Sequence, residues 1–191
     1  RTARRPMPSV TPRGGTPSKV WRAKRWIPWV LAYTGARIGE IAQLRRRDLH
    51  KVDDHWEIDI TPEAGTVKTG AFRRVPLHPH LVELGFPDMV LGAPDGHLFV
   101  EPNPDTGDIL GPLQGVQNRV SEFVRQHVPD KGVAPNHGWR HLFVYRAREV
   151  GIDLELRNMI LGHSGQTVAA REYGGPAGLY REVCKLPRFE V

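Results

Sequence analysis

Apolar positions set the frame of this chain before any chemistry is considered. Trp26 to Tyr33 is apolar on nearly every side, which predicts a buried helix with Pro28 tolerated near its start. Thr34-Gly35 breaks it, and Thr34 is positioned to cap a second helix over about Ala36–Leu44, where Ile38, Ile41 and Leu44 share one face. Trp56-Glu57-Ile58-Asp59-Ile60 then alternates apolar and polar, as Arg74-Val75-Pro76-Leu77 does in part. With the turn signal Thr69-Gly70 between them, they predict a small antiparallel sheet over residues 56–77. His78-Pro79-His80 begins a short helix, and Leu98-Phe99-Val100 reads as a brief strand.

Helical periodicity returns at Val116–Val128, with Val116, Val120, Phe123 and Val124 inward and Asn118, Arg119 and Arg125 outward. Leu142, Val144, Tyr145 and Ala147 predict another buried helix, ended by Gly151. Leu154 to Leu161 predicts the next, with Gly162 as its C-cap. Val168–Tyr173 reads as a short polar helix or turn, and Leu179–Leu186 as a last helix whose face includes Val183 and Leu186. The expected fold class is α+β, mostly α-helical, with a small antiparallel sheet. Its core domain covers residues 20–191 behind a basic linker or arm over 1–19 that is rich in Pro, Gly, Arg, Ser and Thr.

Composition narrows the function. The 191 residues suffice for one domain with a real core. The single Cys184 excludes an internal disulfide, and no apolar run reaches the ~18 residues of a membrane span. The N-terminus lacks the apolar segment of a secretory signal. A net charge of +6 and a pI near 9.8 invite a polyanionic partner. Residues 1–39 carry nine Lys or Arg and no acid, so the rest of the chain stands at −3. The basic end, with Lys19, Arg22, Lys24 and Arg25, is expected either to be a solvated tail or to follow a phosphate backbone.

Candidate chemistry gathers in a few places. Arg37 opens a helix, where the dipole welcomes an anion, and Glu40 one turn on can orient its guanidinium or simply pair with it. Lys68 lies at a likely hairpin, with Arg73 and Arg74 as competitors for a phosphate. His137 and Arg140 are helical neighbours at a helix start. His141 completes a His-x-x-x-His pair. The zinc proteases of that pattern need a glutamate after the first histidine, where this chain has Gly138, so His141 reads as packing or orienting. His78 and His80 lack a third metal ligand, and no metal is expected. His163 is either a plain cap or a phosphate contact. Tyr173, followed by Gly174-Gly175, is a poor core residue and a reasonable nucleophile. The inventory suits phosphoryl transfer through a tyrosine ester.

Arg37, Lys68, His137-x-x-Arg140, Leu161-Gly162-His163 and Tyr173, in that order, resemble the tyrosine recombinase (phage-type integrase) catalytic domain, from about Trp26 to about Pro187. The resemblance implies a catalytic fragment that a DNA-clamping domain precedes in the family. It implies cleavage and rejoining of duplex DNA through a 3′-phosphotyrosyl intermediate, without cofactor, for integration or excision of a phage or mobile element. It carries Tyr173 as nucleophile, Arg37, Arg140 and His163 on the phosphate, His137 as proton acceptor and Lys68 as donor to the leaving 5′-oxygen. Its partners would be double-stranded DNA attachment sites, with four protomers in synapsis and a monomer in isolation, in a bacterial cytoplasm. In the family the C-terminal tail can dock on a neighbouring protomer. The step from His163 to Tyr173 is ten residues, where the family most often has nine, so Tyr180 is the reserve nucleophile.

Three rivals make different demands. A nicking topoisomerase or telomere resolvase would share the chemistry without strand exchange between sites. A DNA-binding module without catalysis would be indifferent to Tyr173. A metal-dependent nuclease would be sensitive to EDTA.

Overall fold

Ser18 starts the first helix: its Oγ accepts the Trp21 N–H at 3.2 Å, and α1 runs Lys19–Thr34. The computed structural model describes residues 18–65, 72–163 and 176–190. α1 thus begins well before the apolar run that predicted it, because a side-chain cap and a buried face through Arg22 and Ala23 extend it backwards. Pro28 consequently lies inside the helix, not near its start, and leaves the Lys24 carbonyl without its usual helical donor.

At the end of α1 the chain turns at Gly35, with φ +59°. A Cβ there would sit 2.5 Å from Phe143 Cδ1 and 2.7 Å from Leu161 Cδ2. Only glycine permits both that backbone conformation and that approach. Thr34 caps the end of α1, not the start of the next helix. Its hydroxyl donates to Val30 O at 2.7 Å and accepts the Ala36 N–H at 3.2 Å. α2 is the short Ile38–Ala42, with Ile38 and Ile41 in the core.

After a 3-10 turn at Arg46–Asp48 come three strands, β1 Leu49–Val52, β2 His55–Ile60 and β3 Arg73–Pro76. They form an antiparallel meander with β2 central, Leu49 opposite Ile58 and Ile58 opposite Val75. β1 was not expected: Leu-His-Lys-Val lacks a clear alternation, and pairing to β2 decides its conformation. α3 Pro79–Glu83 and α4 Phe86–Leu91 follow. Leu98, Phe99 and Val100 are buried but form no strand; Leu98 N–H bonds Leu44 O at 2.8 Å beside an isolated bridge from Arg45 to His97.

The remaining helices are α5 Leu110–His127, α6 Gly138–Glu149, α7 Leu154–Leu161 and α8 Pro176–Val183. α1 packs against α2, α5 and α6 at the centre of one hydrophobic cluster. On α6 the inward face is Arg140, Phe143 and Ala147, so Tyr145, expected in the core, is 62% exposed. α8 packs on β3, and Leu179, Val183 and Leu186 are buried against the chain's own body. The observed fold is the expected one, helical with a small antiparallel sheet. Among the described residues no helix is long and apolar enough to cross a membrane.

Candidate active site

The end of α1, the start of α2, the edge of β3 and the end of α7 converge, and each brings a charged side chain or a bare carbonyl. Arg37 is the N-cap of α2 and its side chain is 29% exposed. Glu40, three residues on, turns back beneath it: Oε2 accepts the Arg37 backbone N–H at 2.9 Å and Oε1 accepts Arg37 Nη1 at 3.2 Å. This satisfies an orphan donor of the helix start and fixes the guanidinium. Glu40 is itself only 2% exposed. A carboxylate so placed needs a cation, and Arg73 on β3 supplies it, with Nη2 2.5 Å from Oε2 and Nη1 3.2 Å from Oε1.

Arg140 sits in the first turn of α6, buried. Its Nη1 donates to Gly35 O at 2.7 Å, and its Nη2 donates to Leu161 O at 2.9 Å and to His163 Nε2 at 2.8 Å. The last carbonyls of a helix lack intrahelical partners and carry the negative end of its dipole. Two arginines take them here: Arg140 holds Leu161 O, and Arg73 Nε holds Ile160 O at 3.0 Å. Gly162, in the left-handed region at φ +67°, ends α7 as expected and leaves His163 just past it. Arginine has only donors, so His163 Nε2 is the acceptor and its proton lies on Nδ1, facing Asn158 Oδ1 at 3.2 Å. In this arrangement His163 is an acceptor toward Arg140, where the sequence left open a plain cap or a phosphate contact.

The cluster is electrically unbalanced: three arginines surround one carboxylate. Burial pushes the Glu40 pKa up, but the hydrogen bonds and charge of Arg73, then those of Arg37, outweigh it and hold the carboxyl below its usual range. Arg140 is lowered to about 10, by burial first and then by Arg37 and Arg73, and remains cationic at neutral pH. His163 is lowered by burial and by the same three arginines, so it is neutral at physiological pH. A part-exposed arginine beside a buried one, with one carboxylate among three cations, leaves positive charge that a compact anion can offset.

No protein-family model matches the sequence, and no curated protein does. Solved structures do match the fold. The integrase from mycobacterium phage Brujita aligns over 99% of this chain and 63% of its own, at 23% identity and a TM-score of 0.61. The XerH site-specific recombinase bound to difH substrate, in its pre-cleavage complex, aligns over 84% of this chain and 45% of its own, at 20% identity and TM-score 0.57. The post-cleavage complex on palindromic difH gives 81% and 42%, at 21% identity and TM-score 0.55. The fold is that of a tyrosine recombinase catalytic domain. The chain spans less than two thirds of the length of each of these proteins.

Within the tyrosine recombinase fold, Arg37, Glu40, Arg140 and His163 come together in one place. His137 is the exposed N-cap of α6, and its ring meets His141 edge to face at 4.8 Å. Lys68 and Tyr173 lie outside the described residues. The reserve nucleophile Tyr180 stacks on His55 at 4.2 Å, and burial, then a hydrogen bond with Cys184, pushes its pKa up, which makes it a poorer nucleophile. Among the described residues no three His, Cys, Asp or Glu side chains group as a metal site would require.

The basic residues expected on DNA divide. Arg73 is corrected: at 6% exposure, with its guanidinium spent on Glu40 and Ile160 O, it is an interior residue and not a surface contact. Arg22 is likewise buried, at 7%. Lys19 is committed to Val100 O at 2.9 Å and Glu101 at 2.7 Å. Arg74 is half-exposed and paired with Asp59 at 2.6 Å. Lys24 lies over the Phe123 ring and Arg25 over Trp26, both half-buried. Sequence reasoning missed Asn158, Gly35 O, Ile160 O and Leu161 O. A backbone carbonyl has no sequence signature, and an asparagine within a helix carries no signal for a partner five residues away.

Proposed function

We propose that this domain is a site-specific DNA recombinase that cleaves and rejoins duplex DNA through a 3′-phosphotyrosyl intermediate, in the integration or excision of a phage or mobile element. The observation that carries this reading is the cationic cluster of Arg37 and Arg140, held by Glu40, Gly35 O, Leu161 O and His163. The forked guanidinium groups suit the non-bridging oxygens of a phosphodiester and the added charge of its pentavalent transition state. The Tyr173 oxygen attacks phosphorus and passes its proton to His137; the bond to the 5′-oxygen breaks, and that oxygen takes a proton from Lys68. The ester conserves the bond energy, so rejoining needs no nucleotide cofactor. DNA attachment sites, a tetramer in synapsis and a bacterial cytoplasmic setting belong to the same proposal.

The test is covalent capture. The protein is incubated in EDTA with a pool of nicked duplexes of randomised sequence, and denaturation-resistant protein–DNA adducts are recovered and sequenced. Wild type is expected to form an adduct, and Tyr173→Phe is expected to bind the recovered duplex without forming one. An adduct that survives Tyr173→Phe and disappears in Tyr180→Phe would move the nucleophile. DNA binding with no adduct would leave a binding module.

A further inference from the structure

Arg73 occupies the point where three parts of the proposed site meet, yet the cleavage chemistry gives it no contact with DNA. Its fork grips both oxygens of Glu40, the carboxylate that holds the Arg37 backbone and guanidinium. Its Nε holds Ile160 O, one residue before the carbonyl that holds Arg140 and three before His163. Along the chain it begins β3. Gly162 is shaped to it: a Cβ there would lie 2.7 Å from Arg73 Nη1 and 2.9 Å from Cζ.

We infer that Arg73 is a positioning residue: one buried guanidinium that locks β3, the Glu40–Arg37 pair and the His163 end of α7 into a single frame. Three features separate this from simple core filling. A buried ion pair adds little net stability over an apolar pair of similar size, so stability alone does not account for its presence. The planar fork fixes angle as well as distance, which a lysine cannot do. Glu40 in turn holds Arg37, and the helix end fixed through Ile160 O carries Leu161 O, which accepts from Arg140, and His163, all groups that the proposed reaction places on the phosphate. Without it, Glu40 would have Arg37 as its remaining guanidinium partner, and Arg37 would be drawn inward, away from an incoming anion.

This inference rests on the proposed function, so its test has one arm that reads cleavage and one that does not. The first compares single-turnover adduct formation on the recovered nicked duplex for wild type, Arg73→Lys and Arg73→Met, with duplex affinity and thermal melting measured alongside. Both variants are expected to bind within about 3-fold of wild type and to cleave about 10- to 100-fold more slowly, the scale on which small misplacements act. The second arm follows the His163 imidazole and the arginine Nε–H resonances by NMR without DNA. Both variants are expected to shift the Arg37 signal, and Arg73→Met is expected to raise the His163 titration midpoint, because a nearby cation is removed.

Wild-type cleavage rate and unmoved Arg37 and His163 signals in a folded variant of lower melting temperature would overturn the inference and make Arg73 a stability element only. If the single variants do not fold, Arg73→Met with Glu40→Gln decides in their place and is read at the His163 end of α7, which Glu40 does not touch: a displaced His163 signal supports the inference, and an unmoved one overturns it. A wild type that forms no adduct while its variants show the NMR changes would sink the phosphotyrosyl reading and leave the positioning role standing.

Discussion

Two of the polar clusters inside this domain are built on opposite terms. One joins Arg37, Glu40, Arg73, Arg140 and His163; the other joins Tyr33, His78 and His80 to the C-terminal segment. The second closes on itself. His78 Nδ1 accepts the His80 N–H at 3.0 Å, so its Nε2 carries the proton and donates to Leu186 O at 3.0 Å. Tyr33 Oη accepts the Phe189 N–H at 3.0 Å and lies 2.7 Å from His80 Nδ1, while Arg188 pairs with Glu83. Neutral groups exchange the hydrogen bonds there, the Arg188–Glu83 pair balances its own charge, and the result is a staple for residues 186–189. The first cluster is also hydrogen-bonded throughout but carries an excess of positive charge. Burial costs are met in both; only one is left with a reason to receive an anion.

That contrast predicts where each cluster breaks. The largest effect is expected at Arg140: in the proposed reaction Arg140→Ala removes a cation from the transition state, and it frees Gly35 O and Leu161 O. Single-turnover adduct formation should fall by about 100- to 1,000-fold, with duplex binding retained. Next comes the staple. Tyr33→Phe leaves the buried His80 Nδ1 and the part-buried Phe189 N–H without their shared partner and should cost about 1–3 kcal/mol in urea denaturation. Its cleavage rate, measured well below the melting temperature, should not change.

A gentler effect follows pH. His78 and His80 are lowered by burial first, and His163 by burial and then by Arg140. Each therefore binds its proton more readily in the unfolded chain than in the folded one. Stability should be fully present above the unfolded histidine value of about 6.5 and should decline as pH falls below it toward the lowered folded values. Thermal melts across that window check the sign. A melting temperature that rises on acidification would contradict it. The smallest effect is expected at Arg74→Ala, whose pair with Asp59 is on the surface; stability should change by no more than about 0.5 kcal/mol.

The two clusters also differ in how far the sequence revealed them. The end of α7 was legible in full, because Leu154–Leu161 has a periodic face and a glycine beyond it, and that placed His163. Arg37 and Glu40 were legible because a helix start and a three-residue step are local facts. Arg73 was misread as a surface cation. Its partners lie 33 and 87 residues away, and nothing in Arg73-Arg74 tells which of the two turns inward. Strand alternation decides that: Val75 is buried with Arg73, and Arg74 faces out. Tyr145 was misplaced for a similar reason, since apolar neighbours on a helix do not say which of them shares a face with Phe143 and Ala147. The histidine staple depends on the C-terminal segment folding back to α1 and α3. Such contacts over 100 residues leave no mark on either segment alone.

The most direct test of the central claim, that the unbalanced cluster is the seat of the scissile phosphate, is a crystal structure of the Tyr173→Phe protein bound to the duplex recovered by covalent capture. A backbone phosphate is expected with its non-bridging oxygens about 2.7–2.9 Å from guanidinium nitrogens of Arg37 and Arg140, with Glu40 and Arg73 still paired beneath them. A duplex bound elsewhere, with no phosphate in contact with either arginine, would contradict it.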